Sequence, residues 1–189
     1  MPRKKQETTE ENIELNKKID AVFEKERVLA EVSDESNLLY DRSRYGERIG
    51  EKFQYSLVEG LFLLETKRMD IKDGRGKKLD FDNFMNKARK FEKNFFVRYY
   101  VFRDLRSRGY IVKTALKFGA DFRVYDRGIK PGEDHAKWIV YPVHETTGTT
   151  WFEFAAKNRV AHSTRKRLLI GVVDDEGEVS YWEVSWIRP

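Results

Sequence analysis

Gly109-Tyr110-Ile111-Val112-Lys113-Thr114, then Lys117-Phe118-Gly119-Ala120-Asp121-Phe122-Arg123-Val124-Tyr125, then a loop reaching His135, decides how the second half of this chain is read. Both runs are short, rich in β-branched and aromatic residues, and bounded by glycine. That combination marks strands rather than helices. Tyr110–Thr114 and Ala120–Tyr125 are therefore expected as two strands. Tyr125 falls at a strand end. His135 falls in the loop Pro131-Gly132-Glu133-Asp134-His135 beyond it.

Working outward toward the C-terminus, Trp138-Ile139-Val140-Tyr141-Pro142-Val143 is a continuous apolar run, as in a strand buried on both faces. Pro142 belongs near its end, because proline cannot donate to a ladder. Trp151 to Lys166 fits a helix, with Phe154, Asn158, Ala161 and Arg165 along one edge and Ala155 and Val160 along another. Leu168–Val173 is the next strand, Asp174-Asp175-Glu176-Gly177 a hairpin turn, and Val179–Ile187 the last strand.

Working outward toward the N-terminus, Gly109 closes a helical pattern carried by Phe84, Ala88, Phe91 and Phe95 and continued by Tyr99, Phe102 and Leu105. Arg106 and Arg108 sit in its last turn, where cations suit the helix dipole. Asp82 is the expected cap of this region. Asp73-Gly74-Arg75-Gly76 turns between short strands at Met69–Ile71 and Lys78–Leu79. Ser56 with Glu59 has capping-box spacing, and Leu57, Leu61 and Leu64 follow on one face. Val28, Ala30 and Val32 alternate as a strand, Asp34–Asn37 reads as a turn, and Leu38–Tyr40 as a returning strand. Leu15, Ile19, Val22 and Phe23 give a partial stripe that predicts a short helix after a frayed start.

The chain has 189 residues, 40% of them hydrophobic, which supports real cores rather than disorder. Charged residues reach 37% with a formal net charge of +5. A basic excess favours a polyanionic partner through counterion release; a heavily charged surface alone would also explain it. The absence of cysteine excludes disulfides, thiolate zinc sites and a cysteine nucleophile. No apolar run is long enough to span a membrane, and Met1-Pro2-Arg3-Lys4-Lys5 does not open a signal peptide, so a cytoplasmic protein is expected.

His135, His144 and His162 are too far apart for a helical zinc pair. A magnesium nuclease would need clustered carboxylates near a lysine. Asp121 and Glu133 are the available ones, while Glu65-Thr66-Lys67 lies in the other half of the chain. Taken singly, a tyrosine at a strand end packs its ring, a histidine in a Gly- and Asp-rich loop is solvated, and a lysine between arginines is a helix end or a phosphate contact.

Three segments in order change that reading: Lys-Phe-Gly-Ala-Asp-Phe-Arg-Val-Tyr ending at Tyr125, Pro-Gly-Glu-Asp-His ending at His135, and Ala161-His162-Ser163-Thr164-Arg165-Lys166. Together they resemble the catalytic domain of the archaeal tRNA-splicing endonucleases. The resemblance is close over the C-terminal half and looser over the N-terminal half. The residue pattern divides the chain into a polar extension at 1–26, an N-terminal α/β domain at 27–91 and a C-terminal domain at 92–189. The resemblance implies an α+β fold of two small domains, the second a nuclease domain with a central mixed sheet flanked by helices. It implies cofactor-free cleavage of precursor tRNA at bulge–helix–bulge elements, leaving a 2′,3′-cyclic phosphate and a 5′-hydroxyl. Tyr125 would be the base, His135 the acid and Lys166 the electrostatic stabiliser. Arg159, seven residues before Lys166, matches a clamp on the bulged base; Trp186 falls near the second clamp position, where one branch of the family has arginine. The acidic loop Asp174-Asp175-Glu176 would plug into a neighbouring subunit. The resemblance thus implies a homotetramer, or a heterotetramer with a structural subunit. Two rivals differ in kind: a metal-dependent junction nuclease, and a non-catalytic RNA-binding subunit.

Overall fold

The computed structural model of the chain describes residues 13–115, 119–129, 131–132 and 134–187, in an α+β arrangement of two five-stranded sheets. The first sheet has β1 (Ile19–Glu24), β2 (Arg27–Glu31), β3 (Glu47–Ile49), β4 (Lys52–Ser56) and β5 (Met69–Lys72), in the order β3-β4-β2-β1-β5. β1 corrects the helix expected over Leu15–Phe23. Ile19, Ala21 and Phe23 alternate buried with exposed neighbours, so the period is two and the spacing of Val22 was misleading. The sheet therefore begins at Ile19, and residues 1–12 of the expected polar extension lie outside the described residues.

Asp34 to Tyr40 is a second correction. It is not a turn and a strand but α1 (Asp34–Ser43), capped by Ser33, whose hydroxyl accepts from Ser36 N while Ser36 returns the bond. Asp34 and Glu35 are the acidic first turn of a helix, which in isolation looks like turn chemistry. α2 (Leu57–Glu65) carries the expected box: Ser56 N–H donates to Glu59 Oε2 at 2.9 Å. α3 (Phe81–Ala88) is capped by Asp80 rather than Asp82. α4 (Phe95–Ser107) follows, and Glu92 falls between the two helices.

The second sheet has β6 (Ile111–Thr114), β7 (Phe122–Tyr125), β8 (Trp138–His144), β9 (Arg167–Val173) and β10 (Val179–Val184), in the order β10-β9-β8-β7-β6. Within this sheet, among the described residues, β8 and β9 are the one parallel strand pair, and α5 (Trp151–Ser163) makes the crossover between them. Pro142 is tolerated in β8 because the pairing with β7 stops at Val140. Val112, Phe122, Val124, Val140 and Leu169 join α4 and the first sheet in one continuous core. Ile139, Leu168 and Ala161 pack on the opposite face under α5. Lys113 crosses between the two halves of the chain, donating to Arg44 O at 2.9 Å, to Gly46 O at 3.1 Å and to Glu59 Oε1 at 3.3 Å. Two apolar faces and a buried ion pair thus fix the second sheet on the first.

Candidate active site

Tyr125 ends β7, paired with Ile111 of β6 and buried against Ile111, Ala136 and Ile129. Burial of Ala136 pins the far side of the loop that carries His135. The loop is closed by three bonds: Lys137 N–H donates to Val124 O at 2.8 Å, Lys137 Nζ pairs with Asp126 Oδ2 at 2.6 Å, and Ile129 N–H donates to Asp126 O at 3.1 Å. The Lys137 hydrogen bond holds the Asp126 carboxyl below its ordinary range. His135 is exposed, and its backbone N–H donates to Asp134 Oδ1 at 2.6 Å.

Lys166 arrives from the other direction. It was expected as the last residue of a helix; instead α5 stops at Ser163, and Arg165 takes a left-handed φ of 56°. Lys166 N–H then donates to Ala161 O at 2.8 Å and its Nζ to Thr164 O at 2.9 Å. This helix exit turns the side chain toward the sheet end. Arg167 N–H donates to Lys137 O at 3.0 Å, which ties the start of β9 to the loop of His135.

The result is one concavity of about 390 Å³ lined by Arg123, Tyr125, Gly132, Asp134, His135, Ala136 and Lys166. The three residues singled out from sequence, scattered over some forty positions, therefore share one opening. A phenol, an imidazole and an ammonium there can move protons at two oxygens and stabilise an anion between them. Arg123 was not singled out. The only sequence signal for it was strand alternation, which places it on the face of Tyr125.

A second concavity, of about 510 Å³, is lined by Ala155, Asn158, Arg159, His162, Ser163 and Trp186. Residues 155, 158, 159 and 162 follow helical spacing, so they form one face of α5. Trp186 stands against that face, its ring 4.8 Å from the His162 ring and half exposed. Arg159 and Trp186, paired only by resemblance, thus border the same space.

The acidic loop after β9 divides its carboxylates. Asp174 turns inward and accepts from Glu176 N at 3.0 Å and Glu178 N at 2.9 Å. Asp175 reaches His144 Nε2 at 3.2 Å yet leaves 84% of its side chain exposed. Glu176 is exposed. Gly177 closes the hairpin with φ 82°, and a Cβ there would come within 2.2 Å of the Tyr100 ring.

Asp121, one of the carboxylates a magnesium site would use, lies in a different concavity and pairs with Arg98 Nε at 2.8 Å. Burial pushes its carboxyl up and the Arg98 charge opposes this. Glu133 lies outside the described residues. Among the described residues no three His, Asp or Glu side chains converge as metal ligands, and no helix is long and apolar enough to cross a membrane.

Comparison with known proteins covers both halves of the chain. Residues 95–181 match the tRNA intron endonuclease catalytic C-terminal domain, and residues 19–85 match the tRNA intron endonuclease N-terminal domain. The chain is 38% identical over 163 residues to the tRNA-splicing endonuclease of Thermococcus onnurineus, covering 86% of this chain and 93% of that one. It is 43% identical over 139 residues to that of Nanoarchaeum equitans, covering 70% and 88%. It is 35% identical over 174 residues to that of Pyrococcus horikoshii, covering 92% and 99%.

Proposed function

The chain belongs to the tRNA intron endonuclease family, an enzyme family, and from that premise we propose that it excises introns from precursor tRNA at bulge–helix–bulge elements. The observation that carries this reading is the shared concavity of Tyr125, His135 and Lys166. The ribose 2′-oxygen next to the scissile phosphate attacks phosphorus, and Tyr125, acting as a phenolate, takes its proton. The O2′–P bond forms and the P–O5′ bond breaks, with His135 delivering a proton to the leaving 5′-oxygen. Lys166 stabilises the charge that develops on the phosphoryl oxygens. The internal nucleophile gains from proximity, so the protein's task is orientation and proton transfer. The products are a 2′,3′-cyclic phosphate and a 5′-hydroxyl, and the step needs no metal.

Arg159 and Trp186 are proposed to hold the splayed base of the bulge, since a guanidinium and an indole can both stack on a base. The substrate has two cut sites and each chain one Tyr–His–Lys set, so at least two correctly spaced copies are needed, and the assembly we propose, as the resemblance implies, is a homotetramer. Incubation of the purified chain alone with a bulge–helix–bulge transcript, with and without EDTA, tests this directly. Cleavage in EDTA with the stated ends is expected; loss of cleavage in EDTA would overturn the metal-free mechanism. Cleavage only after another subunit is added would replace the homotetramer with a heterotetramer.

A further inference from the structure

Arg123 lines the cleavage concavity with Tyr125 and Lys166, and its guanidinium carbon lies 6.0 Å from the Tyr125 ring centroid. It is half-buried, and its Nε is shut off from solvent without a hydrogen-bond partner among the described residues. Arg44, Arg98 and Arg106 also bury an Nε without a hydrogen-bond partner, but none of them lines this concavity, and two of the three find acceptors with their other atoms or ion-pair partners. Arg98 pairs with Glu92 and Asp121, and Arg106 donates to Ser43 O at 2.9 Å. Arg123 makes no ion pair and no side-chain hydrogen bond among the described residues. Asp134, which also lines the concavity, accepts the His135 backbone N–H of its own loop at Oδ1.

An Nε–H left this way is costly, because a buried donor without an acceptor loses its hydration and gains nothing in return. Its position explains the cost only if an acceptor arrives. A phosphodiester offers two non-bridging oxygens in one plane, and a guanidinium fork matches them in a way an ammonium cannot. The reading of this concavity as the cleavage site is assumed, and on it we infer that Arg123 is a substrate-contacting residue that takes a phosphodiester of the RNA strand at the cut. Lys166 then acts as a point charge for the developing phosphorane, while Arg123 fixes the strand's orientation between Tyr125 and His135.

The test uses the full chain and a bulge–helix–bulge RNA with 2′-deoxyribose at both cut sites, which binds but cannot react. The dissociation constant is followed over a range of KCl for wild type, Arg123→Ala and Arg123→Lys, with cleavage of the normal RNA measured alongside. Arg123→Ala is expected to weaken binding about tenfold and to flatten the salt slope by about 0.7–0.9, one phosphate contact. Its melting temperature is expected to hold or rise, since an unsatisfied buried group is removed. Arg123→Lys should keep the slope and recover part of the affinity. A wild-type slope and affinity in Arg123→Ala overturns this inference alone, provided wild type cleaves. Wild-type protein that leaves the normal RNA uncut overturns the reading of the site and this inference with it. If Arg123→Ala does not fold, Arg123→Gln decides by the same slope.

Discussion

Lys113 Nζ lies 3.3 Å from Glu59 Oε1 in the buried seam between the two halves of the chain. Glu59 also accepts from Gly46 N and from the backbone and hydroxyl of Ser56. Burial pushes its carboxyl up, but the Lys113 charge and the Ser56 bonds outweigh that and leave it below its ordinary value. Removing one partner should be far worse than removing both. Lys113→Met is expected to cost about 3–5 kcal/mol, and Lys113→Met with Glu59→Gln clearly less. Chemical denaturation of the two variants checks this; equal losses would mean that the carbonyl bonds of Lys113, not the pair, hold the seam.

The same pair predicts a pH dependence. A carboxyl depressed on folding contributes stability above its unfolded pKa and loses it as pH falls through the folded value. Stability should therefore be steady through neutral pH and decline below about 4.5, the ordinary glutamate value. In Glu59→Gln the acid limb of the melting curve should be shallower. An unchanged acid limb would show that other carboxylates set it.

His135→Ala should leave binding of the bulged RNA nearly intact and slow cleavage by about a hundredfold or more, the scale for losing a general acid. A substrate with sulfur in place of the bridging 5′-oxygen should recover much of that rate, because it leaves without a proton. Absence of recovery would remove His135 from the acid role. Lys166→Ala should slow both substrates alike, since its charge serves the phosphoryl oxygens and not the leaving group.

The catalytic half was legible in sequence because its strands are apolar and short and its signals local. β6, β7, β8 and β9 fall where alternation or continuous apolar runs placed them, while β10 stops at Val184, short of the expected Ile187. The N-terminal half misled where one residue serves two patterns. Val22 sits on the exposed side of β1, yet with Leu15, Ile19 and Phe23 it imitates a helical stripe. Asp34-Glu35-Ser36 is a capped first turn that reads as a loop when the helix behind it, Asn37–Ser43, is mostly polar. Arg123 was missed for another reason. Its significance lies in what it does not bond, and no sequence shows that.

Arg159→Ala and Trp186→Ala should each weaken capture of the bulge by about 1–3 kcal/mol, the range for one stacked base. Both side chains border one concavity, so the double variant should lose less than the sum. Binding of a fully paired RNA of the same length should be unaffected. Equal losses for bulged and paired RNA would return both residues to general surface contacts.

The acidic loop needs a test that respects its internal bonds. Reversing Asp174 would break its acceptance of Glu176 N and Glu178 N, and so unmake the hairpin together with any docking. Asp175 and Glu176 project outward, and among the described residues Asp175 is engaged through the contact with His144. Asp175→Lys with Glu176→Lys therefore reverses the presented charge while leaving the turn its carboxylate and Gly177 its place over Tyr100. If the loop docks in a basic cleft of a second copy, light scattering should show the wild-type tetramer falling to dimers, with cleavage lost and the melting of each subunit little changed. High salt should weaken the wild-type assembly in the same direction, since exposed charges are screened. A reversed variant that stays tetrameric and active, or a wild type that is monomeric and still cuts, overturns the assembly proposed here.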